Sequence, residues 1–124
     1  MSTISQTVNR KFVNSFSLVD LEIETDSGWQ PVTDIHKTIP YTVWHIETQS
    51  GLTLDCADTH ILFDHNYNEI FVKDIIPNQT KIISKHGPEL VLTVIEQSQQ
   101  ENMFDLTVDH PDHRFYSNNI LSHN

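Results

Sequence analysis

"TVWHIETQSGLTLDC", residues 42–56, decides the fold class. Thr42, Trp44, Ile46 and Thr48 alternate along the chain, Ser50-Gly51 turns it, and Leu52, Leu54 and Cys56 alternate back. Side chains of a strand point to opposite faces in turn, so a period of two on both sides of a glycine turn reads as an antiparallel hairpin. "LEIETDSGWQPV", residues 21–32, repeats the pattern, with Leu21, Ile23 and Thr25 on one face and Asp26-Ser27-Gly28 turning. "EIFVKDIIPNQTKIISKHGPELVLTVIEQ", residues 69–97, adds short strands broken at Pro77-Asn78 and His86-Gly87-Pro88. The last two strands are expected around "FDLTV" and "RFYS". Short helical turns are expected only near Thr33 to His36 and Lys73 to Ile76. Many short strands at close spacing predict an all-β domain, closed or sandwiched so that its edges are covered.

With 124 residues the chain has room for one domain and one core. No apolar run approaches the roughly 18–20 residues of a membrane-spanning helix, and "MSTISQTVNRKF" lacks the charged-then-apolar order of a signal peptide. Cys56, the sole cysteine, leaves no internal disulfide and fits a reducing compartment, so a cytoplasmic location is expected. The formal charge of −10 argues against nucleic acid, which needs clustered Lys and Arg, and favours a partner of basic character. Residues 1–18 form a polar lead in which Phe12, Val13, Phe16 and Leu18 hint at one short ordered stretch. The acidic remainder, 19–124, is read as the folded domain.

Eight histidines raise the question of a metal. His110 and His113 stand three apart in "HPDH", and His60 and His65 flank "ILFD", but the lone Cys56 adds no close-spaced thiol pair. Zinc sites take three or four ligands with short-spaced pairs, so no metal and no other cofactor is expected. No Gly-x-Ser-x-Gly elbow and no glycine-rich phosphate loop is present, since the three glycines stand far apart.

The terminal "SHN" carries a different chemistry. An Asn side-chain amide can attack its own backbone carbonyl, close a succinimide and expel the amine of the following residue. The reaction becomes useful when the backbone is clamped and a neighbour protonates the leaving amine. His123 stands beside Asn124, and Phe115, Tyr116, Ile120 and Leu121 bring that end of the chain to the core.

"FDLTVDHPDHRFYSNNILSHN" resembles the C-terminal splicing blocks of inteins, in which an aromatic-Asp-aliphatic strand leads to a histidine and then to a hydrophobic strand ending in His-Asn. "GLTLDCADTHILF" resembles the intein block that carries a buried histidine after a hairpin, and "LEIETDSGWQPVTDI" is similar to the early hairpin of the family. The resemblance runs from about residue 19 to 124. It implies a horseshoe-like Hint fold and a role for each matching residue. Asn124 would cyclise, and His123 would polarise its carbonyl or protonate the leaving nitrogen. His113 would assist that step, Asp105 would couple the two cleavages, and His60 would protonate the amide nitrogen of the upstream scissile bond. Where the family has a Thr three residues before that histidine, this chain has Ala57; Asp58 or Thr59 would supply the hydrogen bond, or another donor would.

The family's opening block, a Cys or Ser nucleophile followed by Gly-Asp-Thr, is missing, and the chain has no Gly-Asp dipeptide. The resemblance therefore implies the larger, C-terminal piece of an intein split early. A short N-terminal fragment would bring the nucleophile and the first strand to a sheet edge left open for it, and the flanking exteins would be the substrate. Residues 1–18 are then either the tail left by the break, docking when that fragment arrives, or a disordered tail or expression remnant. The Cys, Ser or Thr expected after Asn124 lies past the end of this sequence. Two rivals remain: a Hedgehog or bacterial-intein-like domain that cleaves without ligating, and a small β-rich binding module whose histidines are structural.

Overall fold

The fold was obtained as a computed structural model, which describes residues 11–123; residues 1–10 and Asn124 lie outside the described part. Ten strands follow one another among the described residues. They are β1 (Phe12–Ser17), β2 (Glu22–Thr25), β3 (Gly28–Thr48), β4 (Thr53–Cys56) and β5 (Ile61–Phe63), then β6 (Glu69–Phe71), β7 (Lys81–Ser84), β8 (Gly87–Val108), β9 (Arg114–Ser117) and β10 (Ile120–His123). All their pairings are antiparallel, in the order β1-β3-β8-β7-β10-β5-β6, with β2 and β4 also on β3 and β9 on β10. Among the described residues one 3-10 turn, Val72–Asp74, interrupts them, and no described helix is long and apolar enough to cross a membrane.

The expected hairpins form where their turn chemistry dictates. Gly28, Gly51 and Gly87 all have φ between 86° and 104°, a region open to glycine and strained for other residues. Between β9 and β10 the turn is Asn118-Asn119, both with positive φ (48° and 65°), the pattern of a two-residue type I′ turn that Asn tolerates well. On β4, Leu54 and Cys56 are buried while Thr53 and Asp55 are exposed, as the alternation requires.

Two expectations are corrected. Thr33 to His36 is not a helical turn but part of β3, because that stretch is paired on both sides, by β1 and by β8. The strands are also not all short: β3 has 21 residues and β8 has 22. Straight strands of that length would reach roughly 70 Å, about twice the width of a domain this size. They fit because they bend. Their pairing shifts register between Val32 and Asp34, Lys37 and Pro40, Thr42 and Trp44, and Glu47 and Thr48. Each bulge kinks its strand and adds twist. Val43 is buried as well as Ile46, which strict alternation would not give.

Thr38 fixes the central bend. Its fully buried hydroxyl donates to the Ile39 carbonyl (2.7 Å) and accepts from the Met103 amide (2.8 Å), while its own carbonyl accepts from Asn102 Nδ2 (2.7 Å). Thr38→Val keeps the shape and strands the Met103 N–H, and an unsatisfied buried donor costs about 1–3 kcal/mol. Urea denaturation is expected to show a lower midpoint by that amount at unchanged slope.

The core lies between the bent long strands and the C-terminal strands. Ile46, Leu54, Cys56, Leu62, Val72, Ile75, Ile82, Val91 and Ile120 form one buried cluster, and Phe63, Ile83 and Leu121 a second. The strand β10 contributes to both, since successive side chains point to opposite faces. The second half of the polar lead is β1, which pairs with β3 from Phe12↔Thr38 to Ser17↔Asp34 with its own side chains exposed.

Candidate active site at the end of the C-terminal strand

The strand β10 runs inside the sheet rather than at its rim. It pairs with β9 along Ile120↔Ser117 to His123↔Arg114, with β5 at Ser122↔Leu62, and with β7 at Ile120↔Ser84. Ile120, Leu121 and Ser122 are each 0% exposed. The backbone leading to residue 124 is therefore held on both sides. Asn124 itself lies outside the described residues.

Alternation along β10 divides the candidate residues between two faces. On one face, the Ser122 hydroxyl is 3.0 Å from His60 Nε2 and is hydrogen-bonded to the Ser117 hydroxyl. His60 sits in the turn between β4 and β5, where its amide donates to the Ala57 carbonyl (3.1 Å) and its carbonyl accepts from the Val72 amide (3.0 Å). The adjacent Asp58 carbonyl accepts from the Lys73 amide, so the 3-10 turn braces this loop; Thr59 lies half-buried between them. His60 opens onto a cleft of about 250 Å³ that is walled by Leu54, Cys56, Met103, Leu106 and Phe115, with Asp105 and Ser117 as further polar groups. Asp105 reaches that cleft from β8, where it pairs with His36 across the sheet. The sequence motifs of His60 and Asp105, 45 positions apart, are thus brought to one apolar-walled space.

On the other face, the His123 ring lies 6.4 Å from the His113 ring and 6.3 Å from the Phe63 ring, centroid to centroid. His123 Nε2 is 3.8 Å from a carboxylate oxygen of Glu69, on β6, whose side chain is only 8% exposed. His113 is exposed, with a left-handed φ of 51°, and its amide closes a turn on the His110 carbonyl (3.1 Å). The next residue anchors that turn. The Arg114 guanidinium donates to both oxygens of Asp26 (3.0 and 2.6 Å) and lies over the Phe63 and Tyr67 rings. Burial opposes the Arg114 charge, but the hydrogen bonds to Asp26 and the charges of Asp26 and Asp112 outweigh it and raise its pKa. A permanently charged clamp thus ties β9, and His113 with it, to the β2–β3 hairpin.

Ser122, Ser117 and Glu69 were not singled out from the sequence. A serine inside the apolar run "ILSH" was the available signal for Ser122, because a polar group on a buried strand needs a partner. Glu69 carried none, since only the β5–β6 hairpin brings it to β10. Among the described residues no three His, Cys, Asp or Glu side chains converge to hold a metal ion.

No family model and no curated protein matches the sequence. Solved structures do match the fold. The VidaL intein (selenomethionine variant) superposes with a TM-score of 0.76 at 24% identity, over 82% of this chain and 68% of that one. The gp41-1 intein gives 0.73 at 20% identity, over 83% and 79%. A consensus engineered intein (Cat) with an atypical split site gives 0.69 at 23% identity, over 84% and 81%. The chain has the all-β Hint fold of inteins.

Proposed function

We propose that this chain, which carries the intein fold, is the C-terminal fragment of a split intein and mediates protein splicing in trans. The observation that carries this reading is the convergence of His60 and Asp105 on one cleft, with His60 in turn hydrogen-bonded to Ser122 of β10, the strand that ends at His123 immediately before Asn124 in the sequence. One strand thus links the place where an upstream peptide bond would be activated to the place where a downstream bond would be cut.

In this reading a short N-terminal fragment lies along the cleft between β4, β8 and β9. It brings a Cys or Ser whose side chain attacks its own preceding carbonyl carbon. The nucleophile's proton passes through His60 to the amide nitrogen that leaves that carbon, and a (thio)ester results. The side-chain sulfur or oxygen of the residue after Asn124, a Cys, Ser or Thr, then attacks the (thio)ester carbonyl carbon. The bond to the first nucleophile breaks, that nucleophile leaves with the proton the attacking group gives up, and the upstream extein passes to the new side chain. Asn124 Nδ2 attacks the Asn124 carbonyl carbon, the C–N bond to the next residue breaks, and the nitrogen leaves as an amine with the proton the amide gave up. An acyl shift from side chain to amine completes the new peptide bond. His123 and His113 serve the Asn124 step, and Asp105 couples the two cleavages.

Three observations support a separate opening segment. The only thiol, Cys56, is buried in β4 and 5% exposed. The cleft walls are mainly apolar around Asp55, His60, Asp105 and Ser117, the usual make-up of a binding site. Phe16, Ile35 and Leu106 form a row across β1, β3 and β8, and beside it Phe104 is 60% exposed, leaving apolar surface at the cleft's rim. The Cat intein shows that an intein with an atypical split site adopts this fold.

The test is ligation. This chain, carrying a Ser- or Cys-led extension after Asn124, is mixed with N-terminal intein fragments bearing an upstream tag. Tag and extension joined in one product, measured by mass, is the expected result. Cleavage without ligation across the whole set would support a domain that only cleaves, and an unchanged chain would support a binding module.

A further inference from the structure

We infer that Glu69 is a positioning residue for His123: its carboxylate holds positive charge on the His123 ring at the end of β10, where the Asn124 step needs it. The inference rests on the proposed role of His123 in that step.

The β5–β6 hairpin puts Glu69 there. Asp64 Oδ1 accepts from the Asn66 and Asn68 amides (2.9 and 3.0 Å), and Tyr67, with a left-handed φ of 61°, donates its amide to the Asp64 carbonyl (2.9 Å). This turn sets Glu69, the first residue of β6, opposite Phe63, the last of β5, and directly opposed residues of an antiparallel pair share a face. The Phe63 ring lies 6.3 Å from that of His123, so all three side chains meet on one side of the sheet. Glu69 Oε1 is 3.8 Å from His123 Nε2, and the two side chains are only 8% and 16% exposed. At that distance the contact is an ion pair and not a hydrogen bond. Its effect is that of a charge and does not depend on which ring nitrogen carries the proton. With so little water around the pair, the attraction is weakly screened.

Other charged groups face the same ring. Arg114 is paired with His123 across β9 and β10, and its guanidinium lies over the Phe63 and Tyr67 rings. It opposes a charged imidazole, but Asp26 at 3.0 and 2.6 Å and Asp112 at 4.0 Å offset it. The His113 ring, 6.4 Å away, opposes it as well when protonated. Against these, Glu69 brings a negative charge into contact with the His123 ring itself.

In the Asn124 step, Nδ2 attacks the Asn124 carbonyl carbon and the C–N bond to the next residue breaks. A charged His123 serves that step in either of its proposed roles. As a donor to the carbonyl oxygen it draws electrons from the carbon under attack. As an acid it gives its proton to the leaving nitrogen and takes up the proton that Nδ2 loses, so the ring ends as charged as it began. An opposite charge within about 4–6 Å favours the charged form of a titratable group. Glu69 therefore extends towards higher pH the range over which His123 can act.

The test compares Glu69→Gln, which keeps the shape and loses the charge, with Glu69→Asp, which keeps the charge. The chain is joined at its front to the opening segment of the VidaL intein, with Ala in place of the nucleophile, and carries a Ser-led peptide after Asn124. Release of that peptide is followed against pH. The parent rate is expected to fall as rising pH strips the charge from His123. In E69Q the fall is expected about one pH unit lower. Release is then roughly tenfold slower than in the parent near pH 8 and within about twofold of it near pH 5.5. E69D is expected to keep most of the parent profile. Ring NMR of His123 in the chain ending at Asn124, without any partner, is expected to show its titration moved in the same direction by E69Q. Should E69Q fail to fold, the parent decides alone: the Glu69 carboxyl carbon is expected to show a second step at the pH where the His123 ring titrates. Superimposable pH profiles in E69Q and the parent, slowing by one factor at every pH, or a Glu69 carboxyl blind to the His123 titration would overturn the inference. A parent chain in which the two groups titrate together but no peptide is released would instead count against the proposed function.

Discussion

Asn124→Ala, in a chain extended past residue 124 and supplied with an opening segment, is expected to stop release of the extension altogether. In the proposed step the amide that Ala lacks is the nucleophile, so no residual pathway of comparable rate is expected. An intramolecular attack by a group held against its target gains several powers of ten over the same reaction in a loose chain. What the structure fixes is the strand that leads to Asn124: Ile120, Leu121 and Ser122 are fully buried, and β10 is paired with β5, β7 and β9 among residues 120–123. The rate is expected to fall by a factor of about 10³ or more, followed as loss of the released peptide by chromatography. Release at an undiminished rate in the Ala variant would mean that another residue, or water, cuts the bond. The fold should be untouched, because every described strand and core residue lies within 11–123; an unchanged circular dichroism spectrum is the control.

His60→Ala is the second large effect and falls on the other step. A positioned acid–base group contributes about 10²- to 10⁴-fold, and thiol-induced cleavage upstream should drop by that range. Release at Asn124 should change far less when the upstream nucleophile is blocked, since His60 and His123 serve opposite faces of β10. Truncating His60 also removes the Ser122 partner, so part of any stability loss belongs to the buried hydroxyl. Measuring both cleavages in one sample separates the cases. Equal slowing of both steps would mark His60 as a packing residue, whereas slowing confined to the upstream bond matches its place at the cleft.

The hairpins were readable from the sequence because their causes are local. Gly28, Gly51 and Gly87 mark turns that other residues resist, and Leu54 and Cys56 declare a buried face within four positions. The length of β3 and β8 was not readable. Pro40 and the polar run Gln97 to Glu101 lie inside these strands, which continue through them because bulges absorb the misfit and each strand has a neighbour along most of its length. Thr33 to His36 became strand for the same reason: pairing with β1 and β8 overrode a weak local preference. In the candidate site, His60, Asp105, His113 and His123 stand in motifs that resemble those of a known family, so their candidacy could be read directly. The contact between His60 and Ser122 could not, since it depends on β5 lying beside β10, 60 residues apart at Ser122↔Leu62.

The claim that most needs a direct measurement is that the end of β10 is built for Asn124 to cyclise. An opening segment with Ala in place of its nucleophile, joined ahead of this chain, completes the fold while silencing the upstream chemistry. A Ser-led peptide after Asn124 provides the bond to be cut. Mass spectrometry of the released portion that ends at Asn124, the opening segment still joined to residues 1–124, should find it at early times one water lighter than the free acid, the mass of a C-terminal succinimide, with the heavier species growing in later by hydrolysis. A bond that stays intact, or a free acid present from the first time point with no lighter precursor, would contradict the account.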